Sequence, residues 1–262
     1  MEKFIKKHIY KNSDGVNRLY LGYKNTGLKR HDFYINIHDF PSIMITGERQ
    51  DILEQILTLI GINIKNRSFD SDVITEIYGE KSNVRSKYND FENVYNNQSV
   101  ESILLDLKQE VNDRLSEFEK QQAMNISQYN EQAQKPMKRR VVIIDSFEDI
   151  MDNIIVLGLY KSLTTRMRMV GITLIALVNT EKLEQSIKPP FYRNLEKIQE
   201  EMILYFPCKI MTRTNAKFEV LPYDTQQLKE KQMVIEYGKY TSDFGLLREQ
   251  LSDVLQIPEV KN

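Results

Sequence analysis

Three uninterrupted apolar runs constrain this chain most: SIMIT (Ser42–Thr46), VVIID (Val141–Asp145) and GITLIALVN (Gly171–Asn179). A strand with water on one face alternates polar and apolar residues. These runs do not, so both of their faces must be covered, as in a sheet between helix layers. Helical periodicity lies between them. Ile52, Leu53, Ile56, Leu59 and Ile60 form one stripe that stops at Gly61. Val100, Ile103, Leu104, Leu107, Val111, Leu115 and Phe118 mark one face of a long helix, with Ser99 placed to cap it. A further helical segment is expected over Phe147–Met169. Strands that alternate with helices predict an α/β fold with a mainly parallel sheet flanked by helices.

Shorter signals surround this frame. RLYLGYK (Arg18–Lys24) and DFYINI (Asp32–Ile37) read as a hairpin or two edge strands. RSFDSDV reads as a strand and its turn, the polar stretch that follows as loop with room for one short element, and CKIMTRT, KFEVLP and QMVIEYG as late strands. The whole chain, 1–262, is expected to be one domain, with 1–40 as its β-rich N-terminal margin. Hydrophobic residues make up 41% and charged residues 28%, enough for a substantial core. With 36 basic and 37 acidic side chains the net charge is −1, so a general nucleic-acid-binding surface is not expected. Cys208, the single cysteine, excludes an internal disulfide and a multi-thiolate zinc site. No signal-peptide pattern is present, and the apolar runs fall short of the roughly 18 residues of a membrane span. The sequence therefore reads as soluble.

Two places carry the form of nucleotide chemistry. ITGERQDIL (Ile45–Leu53) is a strand, a glycine and a helix, as in a phosphate-binding loop. That loop needs G-x-x-x-x-G-K-[ST], whose backbone N–H groups, lysine and hydroxyl hold phosphate and Mg²⁺. Here Gly47 stands alone, no lysine follows, and Glu48 and Asp51 place negative charge at the helix start. Arg49 replaces the lysine only with different geometry. On local grounds the segment reads as an ordinary strand–turn–helix. RRVVIIDSFEDIMD offers Asp145 at a strand end, where such enzymes hold Mg²⁺, but Ser146 follows where a water-activating glutamate is wanted. Ser146 is no general base without an activating partner; alone, the stretch reads as a strand end with an Asp or Ser cap. Asn179 ends the third run, at the side of a doubly wound sheet where ligands lie. Arg166 and Arg168 end the preceding helix and are candidates to face a neighbouring subunit or an anion. His8, His31 and His38 lack metal-ligand spacing and read as surface residues.

In order and spacing these elements resemble the FtsK/SpoIIIE family of P-loop motor ATPases. QEVNDRLSEFEKQQAMNISQYNE corresponds to the family's long helix with its E…R…F pattern and I..YN tail, followed by VVIIDSFEDIM and RMRMVGITLIALVNT. Arg168, Gly171 and Asn179 fall where the family has an arginine, a glycine and a terminal polar residue. The resemblance runs from Leu19 to Gly238 and is strongest from Glu110 to Thr180. It implies a RecA-like P-loop NTPase fold. Gly47, Glu48, Arg49, Asp145, Ser146 and Asn179 would then be nucleotide-site remnants, and Arg166 and Arg168 interface arginines. With the lysine and glutamate missing, the pattern is most similar to the last, degenerate ATPase module of the EssC-type coupling proteins of type VIIb secretion. That similarity implies no catalytic residues, no metal and no required cofactor, with at most residual ATP and Mg²⁺ binding. It implies a role in substrate recognition or motor regulation. Partners would be a secreted protein and neighbouring ATPase domains of the same chain. The location implied is cytoplasmic, with the membrane reached only through the parent protein. The alternative is an active DNA-translocating or conjugative ATPase with an atypical phosphate loop, using Glu148 as base and a lysine from elsewhere.

Overall fold

The structure, a computed structural model, describes residues 18–66, 73–79, 93–96, 98–151, 153–186, 192–215, 225–240 and 247–258. The KFEVLP segment, most of RSFDSDV and His8 lie outside the described residues. Among the described residues ten strands join one sheet in the order β2-β1-β10-β9-β8-β3-β7-β6-β4-β5. They are β1 (Arg18–Thr26), β2 (Lys29–Asn36), β3 (Ser42–Gly47), β4 (Val73–Gly79), β5 (Asn93–Asn96), β6 (Arg139–Ile144), β7 (Ile172–Asn179), β8 (Cys208–Thr212), β9 (Gln232–Tyr240) and β10 (Leu247–Gln256). The six strands from β8 to β5 are mutually parallel. The other four continue the sheet antiparallel beyond β8. The helices are α1 (Gln50–Asn66), α2 (Val100–Lys120), α3 (Ile126–Gln132), α4 (Ile154–Val170), α5 (Thr180–Ser186) and α6 (Tyr192–Leu204).

The apolar runs do what their lack of alternation requires. Every residue of β3 and β7 is buried. On one face Ile43, Ile45, Val141, Ile143, Ile175 and Leu177 pack with Ile52, Leu53, Ile56 and Ile60 of α1. On the other, Met44, Val142, Ile144, Leu174, Ala176 and Val178 pack with α2, α4 and α6. Successive residues of one strand thus feed two cores, and each fully buried aliphatic side chain stabilises the fold by about 1.5–3 kcal/mol. Ser99 caps α2 as expected, its hydroxyl accepting from the Ser102 N–H at 3.1 Å.

The expected helix over Phe147–Met169 is divided. A 3-10 turn occupies Phe147–Ile150, and α4 starts at Ile154. Ser146 turns the chain sharply at φ 65°, and the Asn153 side chain then caps α4 by accepting from the N–H groups of Ile155 and Val156. Gly171 closes α4 at φ 76°, where a Cβ would also lie 2.5 Å from Ile126 Cδ1.

Candidate functional site

The C-terminal ends of β3, β6, β7 and β8 gather the candidate nucleotide-site residues. Between β3 and α1 stand only two residues, Glu48 and Arg49. The four residues that a phosphate loop places between its glycines have no counterpart there. Arg49 opens α1 with its carbonyl, which accepts from Ile52 and Leu53 N–H at 3.1 and 3.2 Å. Its guanidinium grips Asp51 with both arms, at 3.1 and 2.6 Å, and lies 3.2 Å from Glu230. The hydrogen bonds from Arg49, helped by its charge, hold the Asp51 carboxyl below its usual range. Glu48 turns toward the segment after β8, where Asn215 donates to its Oε2 from the backbone N–H at 3.1 Å and from Nδ2 at 3.0 Å. Gly47 has a packing reason. A Cβ there would lie 1.8 Å from Thr212 Oγ1, and that hydroxyl donates to the Thr46 carbonyl at 3.3 Å.

Asp145 follows β6, buried, with its N–H donating to the Tyr78 carbonyl at 2.9 Å. Ser146 is also buried, and its side chain makes no capping hydrogen bond, so the cap expected at this strand end does not form through Ser146. Its left-handed backbone costs on the order of 1 kcal/mol in a residue with a Cβ. Glu148 is 3% exposed and points inward. Its Oε2 accepts from the Asn179 N–H at 3.1 Å and its Oε1 from Lys182 Nζ at 3.2 Å. Asn179 uses its side chain on protein groups: Nδ2 donates to the Glu48 carbonyl at 3.2 Å and Gln50 Oε1 at 3.3 Å, and Oδ1 accepts from Lys182 N–H at 3.2 Å. Beside it, the buried hydroxyls of Thr180 and Thr214 are bonded at 2.7 Å.

Gly47, Glu48, Arg49, Asp145, Ser146 and Asn179 are therefore brought to one end of the sheet. Arg166 and Arg168 are not: they lie in the last turns of α4, whose end leads into the start of β7. Arg166 is exposed and Arg168 half-buried. Arg168 and Arg139 both act on Asp39, whose carboxyl is nonetheless raised above its usual range by burial. Near this end Glu110 accepts from Arg114 at 2.9 and 2.7 Å and also pairs with Arg140, which reaches Glu76 and the Tyr78 hydroxyl. Arg114 Nη1 donates to the Val170 carbonyl at 2.7 Å, at the end of α4. Phe118 packs against Tyr129 with the rings tilted and their centroids 5.2 Å apart, and the Asn130 side chain pins Met137 through two bonds of 2.9 and 2.7 Å. The E…R…F and I..YN residues thus hold α2, α3, β6 and α4 together.

Sequence reasoning missed Lys182, Thr212, Gln50 and Arg140, whose parts depend on through-space partners. It also misjudged His38. That residue is half-buried rather than superficial, because Asn36 orders the 3-10 turn Ile37–Asp39 and Thr173 holds that turn over β7 by donating to the carbonyls of Ile37 and Phe40. His31 is exposed as expected. Among the described residues no cluster of His, Cys, Asp and Glu has metal-binding geometry, and no helix is long and apolar enough to cross a membrane. Cys208 is buried and its thiol is pushed up by burial.

No family model and no curated protein matches the chain. Solved structures do. The pCW3 conjugation coupling protein TcpA, in monomer form with ATPγS, matches with a TM-score of 0.64 at 16% identity, over 96% of this chain and 67% of its own. EssC (ATPases 2 and 3) from Geobacillus thermodenitrificans matches with a TM-score of 0.62 at 14% identity, over 94% of this chain and 46% of its own. Thermomonospora curvata EccC (ATPases 2 and 3), in complex with a signal sequence peptide, gives a TM-score of 0.63 at 13% identity, over 95% of this chain and 42% of its own. The chain thus spans less than half the length of the two-ATPase structures it matches. At these identities the likeness concerns fold: the chain carries the RecA-like α/β fold of the FtsK/SpoIIIE-like ATPase domains found in EssC, EccC and TcpA.

Proposed function

We propose that this chain is a catalytically inactive FtsK-like domain of a type VII secretion coupling protein, acting in substrate recognition or regulation of the motor. One observation carries the reading: Glu48, Arg49, Glu148 and Asn179, at the nucleotide end of the sheet, are engaged by other protein groups. Arg49 is held by Asp51, and Glu148 by Lys182 and Asn179. The two-residue β3–α1 turn lacks the four-residue spacer between the glycines of a phosphate loop, which supports this reading. Asp145 and Asn179 would line any residual ATP and Mg²⁺ site. Arg166 and Arg168 would face a neighbouring ATPase domain of the parent chain, and the domain would sit on the cytoplasmic side of a membrane-anchored protein.

The secreted partner follows by analogy with EccC, which is seen with a signal sequence peptide. Fluorescence polarisation with labelled signal-sequence peptides of proteins encoded beside this chain tests it. Binding of at least one peptide, equal with and without ATP and Mg²⁺, is expected. No binding across the set, or binding that requires ATP, contradicts the reading. The likeness to the conjugation protein TcpA favours a second reading, an active DNA-translocating ATPase. DNA affinity that falls steeply with salt would support it, since phosphate contacts release counterions.

A further inference from the structure

We propose that the outer face of α4 is the contact through which two copies of this chain pair, helix against helix, about a two-fold axis at Ser162. Five of the nine exposed large apolar side chains among the described residues lie on α4 or at the end of α6: Ile154, Ile155, Met169, Leu204 and Tyr205. Single residues of this kind need no explanation, but a cluster marks a contact surface. Ile154 and Ile155 are 67% and 62% exposed and add nothing to the core.

Gly158 gives the face its shape. It stands inside α4, and a Cβ there would meet nothing within 4 Å. Glycine weakens a helix relative to alanine, and no turn or close neighbour within the chain calls for it here. Ile154, Gly158, Ser162, Thr165 and Met169 recur at helical spacing on one exposed stripe. Ser162 turns its hydroxyl back on its own helix, donating to the Leu159 carbonyl at 2.7 Å. Large apolar residues thus stand at both ends of a stripe about 22 Å long, with small ones between them. A second helix can approach closely at that middle, since interaxial distance follows the side chains at the contact.

Charge points to a second copy as the occupant. Helix α4 carries no acidic residue, and Lys161, at the middle of the stripe, pairs with Glu201 of α6 and lies 5.0 Å from the centre of the Tyr205 ring. In an antiparallel pair turned about Ser162, both copies bring this ion pair to the same flank of the axis. Each ammonium then lies between two carboxylates, its own Glu201 and that of the other copy. Met169, Leu204 and Tyr205 of one copy meet Ile154 and Ile155 of the other. The face is therefore complementary to itself, as an isologous contact must be. Arg166, about 140° round the helix from Lys161, lies at the opposite flank and keeps the role proposed above. The stripe is short beside the roughly 800 Å² per partner of a standard interface, so a weak dimer is expected. The pairing does not depend on whether the nucleotide end is inert.

Sedimentation equilibrium of the purified chain, from micromolar to millimolar concentration, provides the test. Reversible monomer–dimer association is expected. Gly158→Leu fills open space in the monomer and adds apolar surface, so mere stickiness would strengthen association. Close helix contact instead predicts weakening by about 10-fold or more. Lys161→Glu and Glu201→Lys, each of which gathers four like charges at the axis, should separately abolish self-association, while an equimolar mixture of the two variants should dimerise. A chain that stays monomeric throughout, a folded Gly158→Leu variant that associates as well as the unmodified chain or better, or a mixture no more associated than its components would overturn the proposal.

Discussion

Gly47 and Ser146 show how, at the same end of the sheet, local packing and backbone conformation bear on where a side chain can stand. At Gly47 the Thr212 hydroxyl fills the space of a Cβ. Gly47→Ala should therefore destabilise the fold by about 1–3 kcal/mol through overpacking. Thr212→Ala in the same chain removes the clashing oxygen and should restore about half of the loss in a urea titration. A glycine kept for phosphate binding would show no such rescue. Ser146 is the converse, a side chain in a left-handed conformation that glycine adopts more easily. The positions of Gly47, Asp145, Ser146 and Asn179 were legible because strand ends can be read from apolar runs. The partners of Glu148 and Asn179 were not, since Glu48, Gln50 and Lys182 reach them only after the strands align.

The family-like motifs on α2 and α3 act at the scale of elements. Glu110 alone bridges Arg114, four residues on, and Arg140, thirty residues away in β6. Glu110→Ala would leave two largely buried guanidinium groups short of an acceptor, with an expected cost of about 3 kcal/mol. Glu201→Ala, which breaks the exposed pair with Lys161, should cost less than about 1 kcal/mol. Thermal unfolding of the two variants side by side compares them; similar losses would contradict a structural role for the motif. The long helix and its cap were readable from periodicity and Ser99. The antiparallel flank was less so: β10 carries polar residues such as Glu249, Gln250 and Asp253 among its apolar ones, so no run stood out. Strand β5, four residues paired on one side with β4, fell in a polar stretch that read as loop with one short element, whose place no apolar run marked.

Across the whole molecule, one sheet separates two regions of different character. At the C-terminal ends of the parallel strands, acidic and amide side chains are tied to one another where a motor would hold nucleotide. At the opposite end, Arg114 of α2 and Arg140 of β6 are tied to Glu110 and Glu76. The fold class followed from three buried runs and the helices between them. The proposal that the site is inert draws on hydrogen bonds that only the folded chain displays. The most direct measurement is calorimetric titration of the purified chain with ATP and Mg²⁺, with hydrolysis followed in the same sample. The account predicts no turnover and at most millimolar-range binding, on the order of 4 kcal/mol. Micromolar binding with Mg²⁺-dependent release of phosphate would contradict it and make the motor reading the first one.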